Sequence, residues 1–336
     1  MKGWVQVLLG IILVALLLQC GVYIRGKALL SYMPFNIPPP GGALPQLPEV
    51  TQDPTTERQT EQPNATGLHR HHPYPFLINP PDACAPAPEL VIVVVTAVAH
   101  FGDRQAVRDT WGSYAADAGH NTSLVFLLGT TPSAELQARL VNESEQHGDI
   151  VQEDFVDSYR NLTLKSVALL KWVTVYCNAS TYVLKADDDM YVNVSNLLAA
   201  LRAESEKHQA FVMGHVFVGA RPVQNKDSKW YTPVEVFGEK VYPRYTSGTS
   251  YAMSTAAARL LYRASAEVPF FWLEDIYITG LCSRKAGVIV VHHGGFTYKK
   301  PDIDGCHFRR AITGHRYSAA DKRSIFRLVN DPKLKC

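Results

Sequence analysis

The sequence predicts an α/β domain built on a mixed, mostly parallel sheet flanked by helices. Three observations predict it. Apolar, largely β-branched runs recur at 90–96 (Leu-Val-Ile-Val-Val-Val-Thr), 124–128 (Leu-Val-Phe-Leu-Leu) and 182–186 (Tyr-Val-Leu-Lys-Ala), the texture of strands covered on both faces. Segments with apolar residues at helical spacing separate these runs, as in βαβ units. The third run ends on Asp187-Asp188-Asp189, and open α/β sheets bind ligands beyond the carboxyl ends of their strands.

In chain order, the 336 residues begin with an uncharged stretch, residues 3–24, made mostly of Val, Leu and Ile. That is long enough to cross a bilayer as a helix. It predicts a short cytoplasmic tail (1–4) and a membrane signal-anchor (5–24). A cleavable signal peptide fits less well, because its apolar region is shorter and no A-x-A-like site follows. Lys2 on one side and Arg25 and Lys27 on the other do not set the orientation. Six N-x-S/T sequons do point to a lumenal domain, at Asn64, Asn121, Asn142, Asn161, Asn178 and Asn193. Asn193 follows the acidic run so closely that burial competes with modification, leaving the first five as glycosylation candidates. The six cysteines suit an oxidising compartment. Cys20 falls in the anchor, and the remaining odd number leaves a thiol free or paired between chains.

Residues 25–83 read as a proline-rich stalk, with Pro38-Pro39-Pro40 and Pro80-Pro81 and no regular apolar period. His69, His71 and His72 belong to this solvated linker on that reading, and not to a metal site. The folded domain is expected over 84–336. Its elements are the three strands above, helices at 103–111, 134–147 and 162–176, and short strands at 150–152 and 288–291. Leu162, Val167, Leu170 and Val173 carry the helical period in the third helix. A net charge of +2 without a basic stripe gives no reason for a nucleic-acid partner. The absence of G-x-S-x-G and Walker A motifs argues against a hydrolase of those classes.

Three consecutive carboxylates repel one another, and a bound cation relieves that cost. Their oxygens are suitable hard ligands for Mn²⁺ or Mg²⁺. An ion held there can bridge the phosphates of a nucleoside diphosphate and neutralise charge on the leaving group. The competing reading is a solvated acidic turn; the position after a buried strand and before Met190-Tyr191-Val192-Asn193 favours the metal.

Several blocks then resemble one family in its own order. Residues 104–112 (Arg-Gln-Ala-Val-Arg-Asp-Thr-Trp-Gly) resemble R-x-x-I-R-x-T-W-G, and 126–129 match F-L-L-G. Residues 153–163 resemble D-F-x-D-x-Y-x-N-L-T, and 185–189 (Lys-Ala-Asp-Asp-Asp) its metal motif. Residues 242–251 are similar to Y-P-P-Y-C-S-G-x-G-Y, and Glu274-Asp275-Ile276-Tyr277 with Gly280 and Cys282 to E-D-V-Y-x-G-x-C. Singly these are weak; in register, from about residue 84 to the C-terminus, they resemble the β-1,3-galactosyltransferase and β-1,3-N-acetylglucosaminyltransferase family, glycosyltransferase family 31.

The resemblance implies a GT-A fold, a UDP-sugar donor, dependence on Mn²⁺ or another divalent ion such as Mg²⁺, and inversion at the anomeric carbon. It assigns Asp189 as a direct metal ligand, Asp187 and Asp188 to metal and donor contacts, and Asp275 as the catalytic base. Residues 313–321 align with the family's late histidine before a helix, which makes His315 the second protein ligand. The residue types suit inverting transfer, in which one carboxylate takes the acceptor hydroxyl's proton. Without the family, Asp275 reads as an ordinary acid at a helix N-terminus.

His292 and His293, ending a strand, rank second as ligands. Arg104 and Arg108 share a helix face; they either bind donor phosphate or uracil, or anchor the helix through acidic neighbours. Trp111 reads as core, while Trp230, Tyr231, Phe270, Phe271 and Trp272 either stack on acceptor sugar or pack. Three positions depart from the family pattern. Thr246 stands where many relatives have Cys, which puts a bridge to Cys177 in doubt; Arg244 replaces Pro and Ser250 replaces Gly. Cys282 with Cys306, and Cys84 with Cys336, are pairs that sequence leaves open.

The expectation is therefore a type II, single-pass Golgi membrane enzyme with a lumenal catalytic domain. It would move galactose from UDP-galactose to a terminal N-acetylhexosamine of a glycoprotein or glycolipid. One alternative uses UDP-N-acetylglucosamine; another is a non-catalytic lumenal module binding glycan or Ca²⁺.

Overall fold

The valine-rich run forms β2 (Leu90–Val95), in which every residue is buried. It lies near the centre of an eight-stranded sheet in a computed structural model that describes residues 72–117 and 119–336. The other strands are β1 (Phe76–Ile78), β3 (Thr122–Thr130), β4 (Ile150–Val156), β5 (Tyr182–Asp187), β7 (Phe211–Phe217), β8 (Tyr245–Ser254) and β9 (Ile289–His292). Their order is β1-β4-β3-β2-β5-β8-β7-β9. β2, β3, β4 and β5 run parallel, β8 runs antiparallel to β5 and β7, and β9 runs parallel to β7. A separate antiparallel pair joins β6 (Tyr191–Val192) to β10 (Thr313–Gly314).

Alternation along the strands divides the core in two. Val91, Val93 and Val95 face α3 (Leu162–Tyr176) and α5 (Thr255–Ser265). Leu90, Ile92 and Val94 face the other layer, with α1 (Phe101–Asp109), α4 (Val194–Ser205), α7 (Gly305–Arg310) and α8 (Ala319–Val329). α2 (Ala134–His147) has the bounds its sequence predicts. Ser133 accepts from the Leu136 amide at its start, and Gly148 takes a left-handed φ of 64° at its end. The short α6 (Ser283–Ala286) continues the π-helical segment Ile276–Cys282.

Two expectations need correction. The stalk was expected to run to residue 83, but β1 adds to the sheet edge beside β4 and His72 is buried against Glu153, 2.5 Å away. Lys171 reaches the same Glu153 at 2.9 Å. The strand pairing and these buried hydrogen bonds, absent from a solvated linker, place the segment in the fold. The disulfides join Cys84 to Cys177 and Cys306 to Cys336, each with Cα atoms 5.4 Å apart, while Cys282 is buried and free. The pairs follow proximity: Cys84 ends a turn packed on the C-terminal end of α3, and the chain's last residues return to α7. The anchor at 5–24, most of the stalk, Asn64 and Cys20 lie outside the described residues. Among the described residues no helix is long and apolar enough to cross a membrane.

Candidate active site

The acidic run leaves the carboxyl end of β5 as a turn, and its three side chains have three different fates. Asp188 is buried and accepts hydrogen bonds from Thr96 Oγ1 (2.6 Å) and His100 Nδ1 (2.8 Å), both just after β2. These bonds hold its pKa below the usual carboxylate range although burial pushes the other way. The same contact raises the pKa of His100. Lys322 of α8 donates to the Asp188 carbonyl and to Asp103 Oδ1 (3.1 Å). Asp188 therefore locks the turn to β2 and α8. The expected donor contact from its side chain has to compete with these two hydrogen bonds.

Asp187 and Asp189 point elsewhere, towards His315. The three offer ligand atoms within 4.8 Å of one another. Burial raises the pKa of Asp187 to about 6, with Lys185 opposing it and Asp189 adding to it. Lys185 donates to Asp187 Oδ1 at 2.5 Å and to the Gly248 carbonyl. His315 Nδ1 donates a hydrogen bond to the Tyr298 carbonyl at 2.9 Å, which leaves Nε2 facing Asp189 Oδ2 at 3.3 Å. Burial opposes protonation of that ring, yet Asp189 raises its pKa above the ordinary value. Asp189 Oδ1 is buried without a hydrogen-bond partner. An orphaned carboxylate oxygen, a second carboxylate and an imidazole nitrogen on one small space fit a divalent cation of the Mn²⁺ or Mg²⁺ kind.

The backbone around His315 is unusual. Arg316 has φ of 67°, a left-handed value that costs a side-chain-bearing residue energy. The kink lets Tyr317 N donate to the Asp189 carbonyl at 2.9 Å while His315 turns inward.

The second carboxylate pair sits across β8. Glu274 is buried, accepting from Ser166 Oγ (2.7 Å) and Tyr251 OH (2.6 Å). Asp275, half-buried at the start of the helical segment, accepts from the Ile276 amide at 2.9 Å. Burial, then the charge of Glu274, raises its pKa to about 7. Gly248 permits this approach, since a Cβ there would lie 3.0 Å from Glu274 Oε2 and 3.2 Å from Asp275 Cβ. Asp275 is thus a carboxyl group poised near neutrality, the property wanted in a general base.

Other sequence-predicted residues fall differently. Arg104 is fully buried, bonded to Glu143 (2.6–3.1 Å), the Ala97 carbonyl (2.7 Å) and the Val98 carbonyl (3.1 Å). Arg108 pairs with Glu143 (2.8 Å) and Asp149 (2.7 Å). Of the two readings weighed for these arginines, this geometry is that of helix anchors: every guanidinium nitrogen of Arg104 is engaged, and Arg108 is held by Glu143 and Asp149. His292 accepts from Val216 N and His293 from Gly295 N, apart from the aspartates. Trp111 is core, its Nε1 bonded to the Met190 carbonyl, and Phe271 is buried too. Trp230 and Phe270 are about half exposed, and Trp272 lies under Arg160, 4.3 Å from ring centre to guanidinium. Asn121, Asn142 and Asn178 are exposed; Asn161 donates to the Val156 carbonyl, and Asn193 caps α4 while donating to the Phe308 carbonyl. The sequence reading missed Thr96, His100 and Lys322, and carried Lys185 only as part of the 185–189 motif, with no role of its own. Lys185, a charge inside an otherwise apolar strand, was the one visible anomaly.

Fold and site together define an α/β protein with a carboxylate–imidazole cluster at the carboxyl end of β5 and a near-neutral carboxyl group across β8. The family profile described as galactosyltransferase matches residues 102–293. Human beta-1,3-galactosyltransferase 1 is 37% identical over 268 residues, covering 79% of this chain and 82% of its own. Mouse N-acetyllactosaminide beta-1,3-N-acetylglucosaminyltransferase 4 is 36% identical over 262 residues, covering 76% and 74%. The chain belongs to the galactosyltransferase family and is a glycosyltransferase of the β-1,3-galactosyltransferase type.

Proposed function

We propose that this chain is an inverting, divalent-metal-dependent β-1,3-galactosyltransferase, using UDP-galactose and a terminal N-acetylhexosamine acceptor. One observation carries the reading: Asp187, Asp189 and His315 bring ligand atoms together, one oxygen of Asp189 has no partner, and Asp275 stands across β8 from them. The likeness to β-1,3-galactosyltransferase 1 supports galactose as the sugar moved. The uncharged N-terminal stretch and the sequons support a Golgi membrane enzyme with its catalytic domain in the lumen.

Asp187, Asp189 and His315 would hold the ion. When bound, that ion supplies positive charge against the diphosphate oxygens as they become the leaving group. Lys185 and the Tyr298 carbonyl fix Asp187 and His315 in place, so these ligands need little rearrangement. Asp275 accepts the proton of the acceptor hydroxyl as that oxygen bonds to the anomeric carbon. The bond from that carbon to the UDP oxygen breaks on the opposite face, and UDP departs with the electron pair. Glu274, held through Oε1 by Ser166 and Tyr251, adds its charge to burial in keeping the Asp275 pKa raised and is a positioning residue.

The test is transfer by the full chain with UDP-galactose, UDP-N-acetylglucosamine and other UDP-sugars against N-acetylhexosaminide acceptors. Mn²⁺-dependent transfer of galactose through a β-1,3 bond, lost on chelation, is the expected result. Preference for UDP-N-acetylglucosamine would replace the donor assignment, and full transfer in chelator would end the metal assignment.

A further inference from the structure

We propose that the rings of His215, Phe217, Tyr245 and Tyr298 form a wall on which the acceptor's terminal pyranose stacks, an inference that rests on the glycosyl-transfer reading above. The rings come from three separate parts of the chain. His215 and Phe217 end β7, Tyr245 opens β8 and Tyr298 follows β9. They converge because β8 runs antiparallel to β7, so its first residue lies level with the last of β7, Tyr245 pairing with Phe217. Ring centroids lie 5.3 Å apart for Tyr245 and Phe217, 5.3 Å for Phe217 and Tyr298, and 4.8 Å for Tyr298 and His215.

The strip joins the two halves of the site. At one end the Tyr298 carbonyl holds His315. At the other, Tyr245 packs on Gly280 of the segment that Asp275 opens; a Cβ on Gly280 would lie 3.2 Å from Tyr245 Cβ. The Asp275 charge adds to burial in raising the Tyr245 phenol pKa.

These rings are not core. Phe126 and Phe211 are fully buried, whereas Tyr298 is 37% exposed, its three companions are half-buried, and the adjoining Val218 is 76% exposed. An open aromatic strip suits a ligand with one apolar face and a polar rim. A pyranose is such a ligand: its axial C–H bonds carry slight positive charge that meets the negative face of the rings. The Tyr245 end lies beside Asp275, which must reach the acceptor hydroxyl, while the diphosphate belongs with Asp187, Asp189 and His315. The wall therefore serves the acceptor and not the donor.

The test uses full-length chains carrying Phe217→Leu, Phe217→Ala, Phe217→Tyr or Tyr245→Leu, with UDP-galactose and a methyl N-acetylglucosaminide. Phe217→Leu keeps apolar bulk and removes only the ring, so it stays informative if Phe217→Ala fails to fold. The expected result for the leucine variants is an acceptor KM raised by about fivefold. The KM for UDP-galactose should not move, Phe217→Tyr should retain the wild-type acceptor KM, and magnetisation transfer from protein to the bound glycoside should weaken in step. An unchanged acceptor KM in both leucine variants overturns the wall. A parallel rise in the UDP-galactose KM also overturns it, in favour of a donor-side role. If the wild-type chain turns over UDP-sugar normally, such a failure leaves the proposed function standing; if it turns over no UDP-sugar at all, both readings fall.

Discussion

Two concentrations of charge lie on either side of β2, and they differ in one respect. Around Glu143, two guanidinium groups and two carboxylates balance one another. Arg104 and Arg108 hold Glu143, and Arg108 also holds Asp149. Around Asp189, Lys185 pairs with Asp187, His315 faces Asp189 Oδ2 with its Nδ1 hydrogen committed to a carbonyl, and Asp189 Oδ1 has no partner. The first group is closed by its own hydrogen bonds; the second keeps one carboxylate oxygen open. Charge satisfied within the protein is structural, and a carboxylate oxygen left unpartnered at the carboxyl end of a strand is available to a ligand.

Asp275, the carboxyl group held near neutrality across β8, gives the sharpest way to break that contrast. Asp275→Asn is expected to lower kcat by about 10²–10⁴-fold while binding of UDP-sugar, followed calorimetrically, stays near wild type. Equal loss of donor binding would mean that the residue shapes the site and takes no proton.

Next come paired substitutions in the two clusters. Glu143→Ala leaves a buried guanidinium uncompensated and is expected to cost about 3–5 kcal/mol of stability in denaturant unfolding. Asp189→Asn removes a direct ligand and is expected to weaken Mn²⁺ binding by more than the roughly 10–100-fold that loss of an outer-shell partner costs, without lowering the metal-free melting temperature, since it removes repulsion with Asp187. If Asp189→Asn proved the more destabilising of the two, the division between structural and functional charge would be wrong.

A pH series separates the clusters again, because their pKa values move in opposite directions. Burial works against ionised Glu143, but Arg104 and Arg108 hold its pKa below the usual range. Its stabilisation is present above the unfolded carboxylate pKa and is lost as pH falls through the folded value. Asp275 is raised to about 7, so the folded chain holds its proton where the unfolded chain has released it. Stability from this group therefore declines as pH rises from about 4 to about 7, while activity that needs the carboxylate climbs through the same upper limit. A kcat/KM profile rising towards pH 7, which Asp275→Asn flattens, is the expected result; a wild-type profile flat between pH 5 and pH 8 contradicts the base assignment.

The smallest expected effect concerns Arg316. Arg316→Gly relieves the left-handed strain and is expected to change stability by no more than about 1 kcal/mol, with Mn²⁺ affinity retained. A large drop in affinity would show that the exposed side chain, and not only the backbone kink, serves the site.

What the sequence determined by itself was whatever local pattern encodes. Burial on both faces makes β2, β3 and β5 apolar runs, and Ser133 and Gly148 punctuate α2, so these elements were legible to within a residue or two. The aspartate turn was legible because three adjacent carboxylates are rare without a purpose. Asp275 and His315 were reached only through family resemblance, since one acid and one histidine carry no local signal of chemistry. Tertiary structure alone decided the rest. It sent Asp188 to Thr96 and His100 while Asp187 and Asp189 turned to His315. It paired Cys84 with Cys177, drew His72 out of the supposed linker, and assembled one aromatic wall from β7, β8 and the loop after β9. Each of these depends on which distant segments share a neighbourhood, and that is fixed by sheet order and strand direction, information that no short stretch of sequence contains.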